Sequence, residues 1–527
     1  MTDSQRRRLF LGCFIALIAT AFGFVVRGGM VSDWQKQFNL SNEQVGWIQG
    51  AGLFPFAISI VFFSLVVDKL GYGRTMAFAF VGHVASALIT IFATSFEVLY
   101  LGTFLFSLAN GAVEAVINPV VATVYEKNKT QWLNALHAGW PAGMVLGGLL
   151  AIAVALGAGS LVNVSGKIWQ WQMALIFVPT IIYGLVLLGQ RFPVQERVAA
   201  GVSYIDMLRE FGWGSCFIVC FLLIAGINQV LLVVGVPSTS PLIWAAIALA
   251  PTALFAAYVR SFGRPMFVFL LLVMFLLATT ELGVDSWIQA IMGSVLSSAQ
   301  AGTLVFIYTA VIMFVLRFFA GPIVHRISPL GLLATCAALA ACGLVWLSNA
   351  GTAVAAVFAA ATLYGVGKTF YWPTTLGVVS EQYPKGGALM INAIAGVGMI
   401  AVGTLGSPGI GYFLDKTFDR VITEKDPSLR SEVLVERSSI FGTSKSLDAA
   451  RVDKLDQTQQ DQIKSYVIRS QQETLFSIAL LPTIMFFCYL ILIAYFRAKG
   501  GYQAQVLTGH AAQDQEFTRG TIGPGEG

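Results

Sequence analysis

The stretch FFSLVVDKLGYGR at residues 62–74 ends an apolar run in an acid, two bases and two glycines, and FFAGPIVHRISPLG at 318–331 loosely repeats it. An apolar helix that stops at a turn among charges, and does so twice, predicts two copies of one helical unit. The copies lie 256 residues apart. Between them residues 192–265 hold two further apolar runs; without that segment the offset falls to roughly 180 residues, what six spans of about 20 residues and their loops occupy. Two six-helix halves are therefore expected, residues 1–191 and 266–499, joined by a linker at 192–265 that carries two extra transmembrane helices.

Apolar runs between polar breaks place spans near 9–31, 45–67, 74–95, 98–124, 133–157, 170–190, 214–236, 242–259, 266–293, 302–325, 330–348, 351–379, 387–413 and 474–496, fourteen in all. Composition agrees: of 527 residues 56% are hydrophobic and 11% charged, with a mean hydropathy of +0.75. Soluble domains carry about a quarter of their residues charged, so the fold class is an all-α polytopic membrane protein. The opening RRRLFLGCFIALIATAF imitates a secretory signal down to Ala19-Thr20-Ala21, but the apolar run continues past that site and many spans follow, so an uncleaved first helix is expected.

The basic residues report orientation. With the N-terminus inside, the short inner loops and tails hold Arg6, Arg7, Arg8, Lys69, Arg74, Lys127, Lys129, Arg191, Arg197, Arg209, Arg260, Arg264, Arg326, Lys385, Arg497 and Lys499, whereas the short outer loops hold only Lys36 and Lys167. That asymmetry puts both termini in the cytoplasm of a cell (inner or plasma) membrane. The mixed-charge segment 414–473 then lies outside, where SLDAARVDKLDQTQQDQIKSYVIRSQQETL (446–475), too poor in apolar residues for a buried domain, reads as a helical lid or strut. Residues 500–527 form a polar tail expected to be disordered.

Several function classes are excluded. The net charge of +5 comes without the basic patches and interleaved aromatics of a nucleic-acid binder. No nucleophile with an activating base, no metal-spaced His/Cys cluster and no phosphate-cradling loop is present, so neither an enzyme nor a cofactor or metal is expected. The six cysteines, Cys13, Cys216, Cys220, Cys336, Cys342 and Cys488, all sit in apolar runs as small packing residues.

In the loop after the second span, Asp68 caps a helix end, Lys69 and Arg74 stay at the inner interface, and Gly71 and Gly73 permit the tight turn, a cluster able to latch one conformation shut. This loop resembles the signature between spans two and three of the major facilitator superfamily. FNLSNEQVGWIQ (38–49), GAVEAVINP (111–119), WLNALHAGWPAG (132–143), LRFFAGPIVHRISP (316–329) and YWPTTLG (371–377) further resemble that family's branch of fucose and related sugar:proton symporters, over both halves but not the insertion. The resemblance implies the major facilitator fold, a central cavity lined by Glu114 and Asn118, and a structural role for Arg317.

The residues themselves point the same way. Glu114 and Asn118 are four apart and share a helix face that Asn110 extends by a turn. An ionisable group near midplane costs about 2.5–3.5 kcal/mol on insertion scales, so it should face protein or water. The branch carries a first-span aspartate where VVRGGM (25–30) has Arg27; this arginine either snorkels to the outer interface, pairs with Glu114 or clamps an anionic group. In the second half TTELGVDSWIQ (279–289) sets Glu281 and Asp285 one turn apart, and GVGKTFYWPTTLG (365–377) buries Lys368, so a Glu281–Lys368 pair across the cavity is expected, with Asp285 either hydrated or part of the site. Tyr371 and Trp372, with Trp140 and Trp287, suit the apolar face of a pyranose or a membrane interface. His83 and His137 read as proton shuttles or satisfied packing residues. Gly139, Gly143 and Gly147 recur every four residues as a smooth face for a neighbouring helix. The inserted helices carry Asn228 and Gln229 but no charge in their apolar runs and read as peripheral.

The expected function is secondary active transport by alternating access in the lipid bilayer, with proton-coupled uptake of a monosaccharide or similar polyol by a protein acting as a monomer. Substrate binding falls to Arg27, Glu114, Asn118, Glu281, Lys368, Tyr371 and Trp372, proton coupling to Glu114 and Glu281, and the latch to Asp68, Lys69, Gly71 and Arg74. Two cavity cations, Arg27 and Lys368, motivate a small organic anion such as a sugar acid as the alternative substrate, and the extra helices and outer segment suit a non-transporting membrane sensor or scaffold.

Overall fold

The fold comes from a computed structural model that describes residues 1–38, 40, 48–157, 168–233, 236–505, 507 and 517–518. Most of the FNLSNEQVGWIQ motif, Lys167, the side chain of Lys36 and most of the tail beyond 505 lie outside the described residues. Thirteen helices among the described residues are long and apolar enough to span a bilayer, and the shorter apolar helix Ala301–Arg317 lies between Pro265–Val295 and Ala320–Asn349. In chain order, counting that helix as the tenth, the fourteen match the apolar runs read from the sequence, from Asp3–Met30 to Gln457–Ala498.

Both echoing stretches break on a single residue with positive φ, Gly71 at 87° and Ser328 at 66°. The second and third spans, Ile48–Leu70 and Tyr72–Ile91, meet at Gly71, and Ser328 separates the short helical piece that follows the tenth span from the body of the eleventh. Glycine takes such a conformation without a Cβ clash, whereas serine is strained there.

The glycine face of the fifth span, Glu126–Gly157, packs on the first. A Cβ added at Gly139, Gly143 or Gly147 would sit 2.9, 2.5 or 3.0 Å from the carbonyl oxygens of Phe14, Ile18 and Phe22, which themselves recur every four residues. Two ridges of one period thus meet backbone to backbone, the close approach that small residues permit between membrane helices. The halves meet where the second span packs on Gly387–Ala401 of the thirteenth and the fifth on the tenth.

The inserted helices, Tyr204–Gln229 and Pro241–Val259, pack on each other and on the second half, with Leu242, Leu254 and Tyr258 exposed on the far side. Their periphery agrees with the lack of charge in their apolar runs.

The outer segment differs from the lid read in the sequence. Phe418, Ile422, Leu429, Val433, Leu434 and Ile463 form a small core, closed by a hairpin of Leu434–Ser439 against Gly442–Leu447, whose turn buries Ile440 on Trp244 of the inserted pair. These apolar residues are too far apart in sequence to register as a domain, and only the fold gathers them. The start of the tail is also engaged: Gln382 Nε2 donates to Gln503 O at 2.8 Å and Gln505 N to Glu381 O at 2.7 Å, so residues 503–505 are held by backbone bonds that composition does not reveal.

Candidate functional site

The site begins with three prolines. Pro119, Pro141 and Pro373 have no N–H, so the carbonyls four residues earlier, on Ala115, His137 and Thr369, lose their helical donors. In each case a polar side chain from elsewhere takes the place. Asn392 Nδ2 donates to Ala115 O at 2.9 Å, Arg317 Nη1 to His137 O at 2.6 Å, and Arg317 Nε to Thr369 O at 2.7 Å. Two of these three bonds, those to Ala115 and His137, join the halves.

Around Arg317 the ninth span, Pro265–Val295, widens to an i→i+5 turn over Thr279–Gly283, a local irregularity frequent at functional sites. The wider turn rotates the register so that Glu281 Oε1 accepts from Arg317 Nη2 at 3.0 Å, both side chains being buried. Glu281 Oε2 is buried and makes no hydrogen bond among the described residues. Asp285, on the same face, takes Lys368 instead. The expected Glu281–Lys368 pair is therefore corrected to Glu281–Arg317 and Asp285–Lys368, and Arg317, read as structural, lies at the centre.

On the first half, Asn118 Nδ2 donates to Glu114 Oε2 at 2.7 Å, and Asn118 Oδ1 meets His137 Nε2 at 2.9 Å. One polar chain thus runs Glu114, Asn118, His137, Arg317, Glu281 across the interface. It borders a cavity of ≈ 420 Å³ lined from the first half by Phe56, Ile60, Glu114, His137 and Trp140, and from the second by Glu281, Leu282, Arg317, Trp372, Ala395 and Met399. A largely apolar wall with a few convergent polar groups is the usual make-up of small-molecule sites.

Not every expected residue joins it. Arg27 neither pairs with Glu114 nor lines the cavity. It is buried, donates to Ser86, Thr90 and Thr103 hydroxyls at 3.2, 3.0 and 3.4 Å, and lies over the Phe106 ring at 4.6 Å. The hydroxyl protons go to backbone carbonyls of their own helices, so three oxygen lone pairs face the guanidinium, a cage invisible to a reading that counted only charges. Lys368 is likewise held outside the lining, and Tyr371 is buried with its hydroxyl on Cys336 O at 3.3 Å. Trp287 bonds Ser407 rather than facing the cavity. His83 is satisfied between Tyr183 and Asn110. Trp372 does line the cavity, and Asn118 stands directly behind Glu114.

The latch cluster also finds a different partner. Asp68 pairs with Arg197 of the linker at 2.5 Å, Lys69 lies over the Tyr204 ring at 5.3 Å, and Arg74 is exposed. Next to it Lys129 Nζ donates to Glu196 Oε2 of the linker at 2.6 Å and to Ser380 O of the second half at 3.2 Å. Glu381 Oε1 accepts from Thr130 N at 3.1 Å and Thr130 Oγ1 at 2.5 Å. The linker is thus a third member of a seal on the face where residues 502–505 meet Glu381 and Gln382.

Two helical halves around a cavity bordered by a buried polar chain, with a charged seal at one end, define a membrane protein of the major facilitator fold. Residues 10–408 match the Major Facilitator Superfamily, and the chain belongs to that family. It is 24% identical over 194 residues to a gentisate transporter of Corynebacterium glutamicum, covering 36% of this chain, and 24% identical over 205 residues to a D-xylose transporter of Levilactobacillus brevis, covering 38% of it. Each alignment spans 42% of the relative's own length. Among solved structures, the proton:xylose symporter XylE superposes with a TM-score of 0.59 at 13% identity, covering 98% of this chain and all of that one. The Escherichia coli fucose:proton symporter FucP superposes with a TM-score of 0.54 at 14% identity, covering 90% and 98%. At these identities the likeness is one of fold.

Proposed function

We propose that the protein is a secondary carrier, not a catalyst, that moves a monosaccharide or similar polyol together with a proton by alternating access. The observation that carries this reading is the buried polar chain from Glu114 to Glu281, which spans both halves beside the cavity. Residues 1–191 and 266–499 are the moving bodies, with the linker helices riding on the second, and both chain ends face the cytoplasm. Glu114 and Glu281 are the proton-coupling groups. Trp140 and Trp372 offer flat faces to the C–H side of a sugar ring, and the carboxylates accept from its hydroxyls. The relative that transports D-xylose supports this class.

A small organic anion is the second reading. The cations that first suggested it, Arg27 and Lys368, are engaged outside the cavity, but Arg317 lines it, and a relative transports gentisate, a carboxylic acid. Counterflow in proteoliposomes with labelled sugars and labelled acids separates the two. Exchange of a sugar, abolished by Arg317→Ala, is expected; exchange of acids alone would move the assignment to the anion. No exchange of any solute under any gradient, with binding intact, would favour a sensor.

A further inference from the structure

One of the two echoing motifs has no part in the cavity or the seal. In FFAGPIVHRISPLG, His325, Arg326, Ile327, Ser328 and Pro329 line a second, open hollow of ≈ 980 Å³ together with Val324, Arg497 at the end of the last span and Tyr502 of the tail. Its lining holds three basic groups, His325, Arg326 and Arg497, and no carboxylate. All three are exposed, and none makes an ion pair among the described residues. Two buried cations of this face are paired, Lys129 with Glu196 and Arg197 with Asp68.

The hollow shares no lining residue with the central cavity. Its lining includes the exposed apolar Ile327, at 43%, and the helix that supplies Arg497 also carries Ile491 at 61% exposure, an apolar margin on both elements that supply the bases. A free anion has no use for such a collar, whereas an acyl chain does. Basic residues set at the end of lipid-facing helices sit at headgroup depth and attract anionic headgroups. We propose that this hollow binds the phosphodiester of an anionic phospholipid, with Arg326 and Arg497 holding the phosphate and the apolar flank taking the upper acyl chain.

The occupant would touch the seal through Tyr502. That residue packs on Phe496 with ring centroids 5.1 Å apart, and its hydroxyl donates to Glu381 Oε2 at 2.8 Å, the same carboxylate that Thr130 holds from the other half. A headgroup seated beside Tyr502 fixes the tail against Glu381 and so favours the closed seal.

The test titrates the purified full-length protein in neutral phosphatidylcholine micelles with phosphatidylglycerol, following the rise in unfolding temperature, with inorganic phosphate as a separate arm. Each basic residue near such a surface contributes about 1 kcal/mol, so Arg326→Gln/Arg497→Gln should raise the half-saturating phosphatidylglycerol fraction roughly thirtyfold. Both side chains are exposed, so the variant should fold, and Arg191→Gln, an exposed base elsewhere on the same face, should titrate as the unaltered protein does. An unchanged titration in the double variant, or an equal loss in Arg191→Gln, would overturn the site. Equal stabilisation by millimolar inorganic phosphate would overturn the lipid as its occupant.

Discussion

Arg317 offers the sharpest energetic test, because it serves two prolines and one acid at once. Arg317→Ala leaves the Glu281 carboxylate buried without its cation, and breaking a buried pair from one side costs about 3–5 kcal/mol. A neutral interhelical hydrogen bond inside a membrane contributes only about 0.6–2 kcal/mol, so the charge, not the two carbonyl contacts, should dominate the loss. Glu281→Gln alone strands the guanidinium and should cost a similar amount. With both changes neither charge remains, and only the His137 and Thr369 carbonyls stay without a donor. The double variant should therefore fall short of the sum of the singles by about 2–3 kcal/mol, a coupling of roughly thirtyfold to a hundredfold in the unfolding equilibrium. Arg317→Lys should land between, since one ammonium keeps the ion pair but cannot also reach both carbonyls in the planar fork. Reversible unfolding in mixed micelles reads the four variants against the unaltered protein. A coupling below about 0.5 kcal/mol, the range of independent sites, would refute the pairing and with it the polar chain.

Other perturbations follow from the same geometry. Glu114→Gln should abolish proton-driven uptake while sparing exchange, and unchanged dependence of uptake on external pH in that variant would remove Glu114 from coupling. Gly143→Leu places a side chain where even a Cβ lies 2.5 Å from Ile18 O, so the first and fifth spans must separate; a stability loss of about 1–3 kcal/mol or more is expected, and a neutral result would argue against the close contact. Asn392→Leu leaves the Ala115 carbonyl without a donor at about 1–3 kcal/mol, and adding Pro119→Ala should recover most of that by restoring the helical N–H. Failure of the second change to rescue the first would dismiss the proline gap as the reason for the asparagine.

How much of this was legible beforehand depended on the length scale of the signal. Spans show themselves in runs of about 20 apolar residues, and the repeat showed itself in two similar helix ends, so the fold could be read from local pattern. Glu114 and Asn118 were legible too, since four-residue spacing fixes a shared face. Partners across the cavity were not, because the widened turn at Thr279–Gly283 shifts the register by a fraction of a turn and exchanges the acids that Arg317 and Lys368 meet. Arg27 misled for a different reason: hydroxyls on two other spans hold it, and nothing in its own stretch announces them. One missed signal was available. GAVEAVINP, WLNALHAGWPAG and YWPTTLG each contain the proline that frees a carbonyl, and asking where that carbonyl finds a donor would have pointed to a polar side chain from another helix.

Access to the cavity from both faces is what separates a carrier from any other use of this fold. Ala395 lines the cavity, so Ala395→Cys in a chain with its six native cysteines replaced gives a reporter within it. In sealed vesicles a membrane-impermeant maleimide, applied in turn from each side, should label that cysteine from both, with substrate slowing both reactions. Labelling from one face only, whatever solute or gradient is present, would contradict alternating access through this cavity.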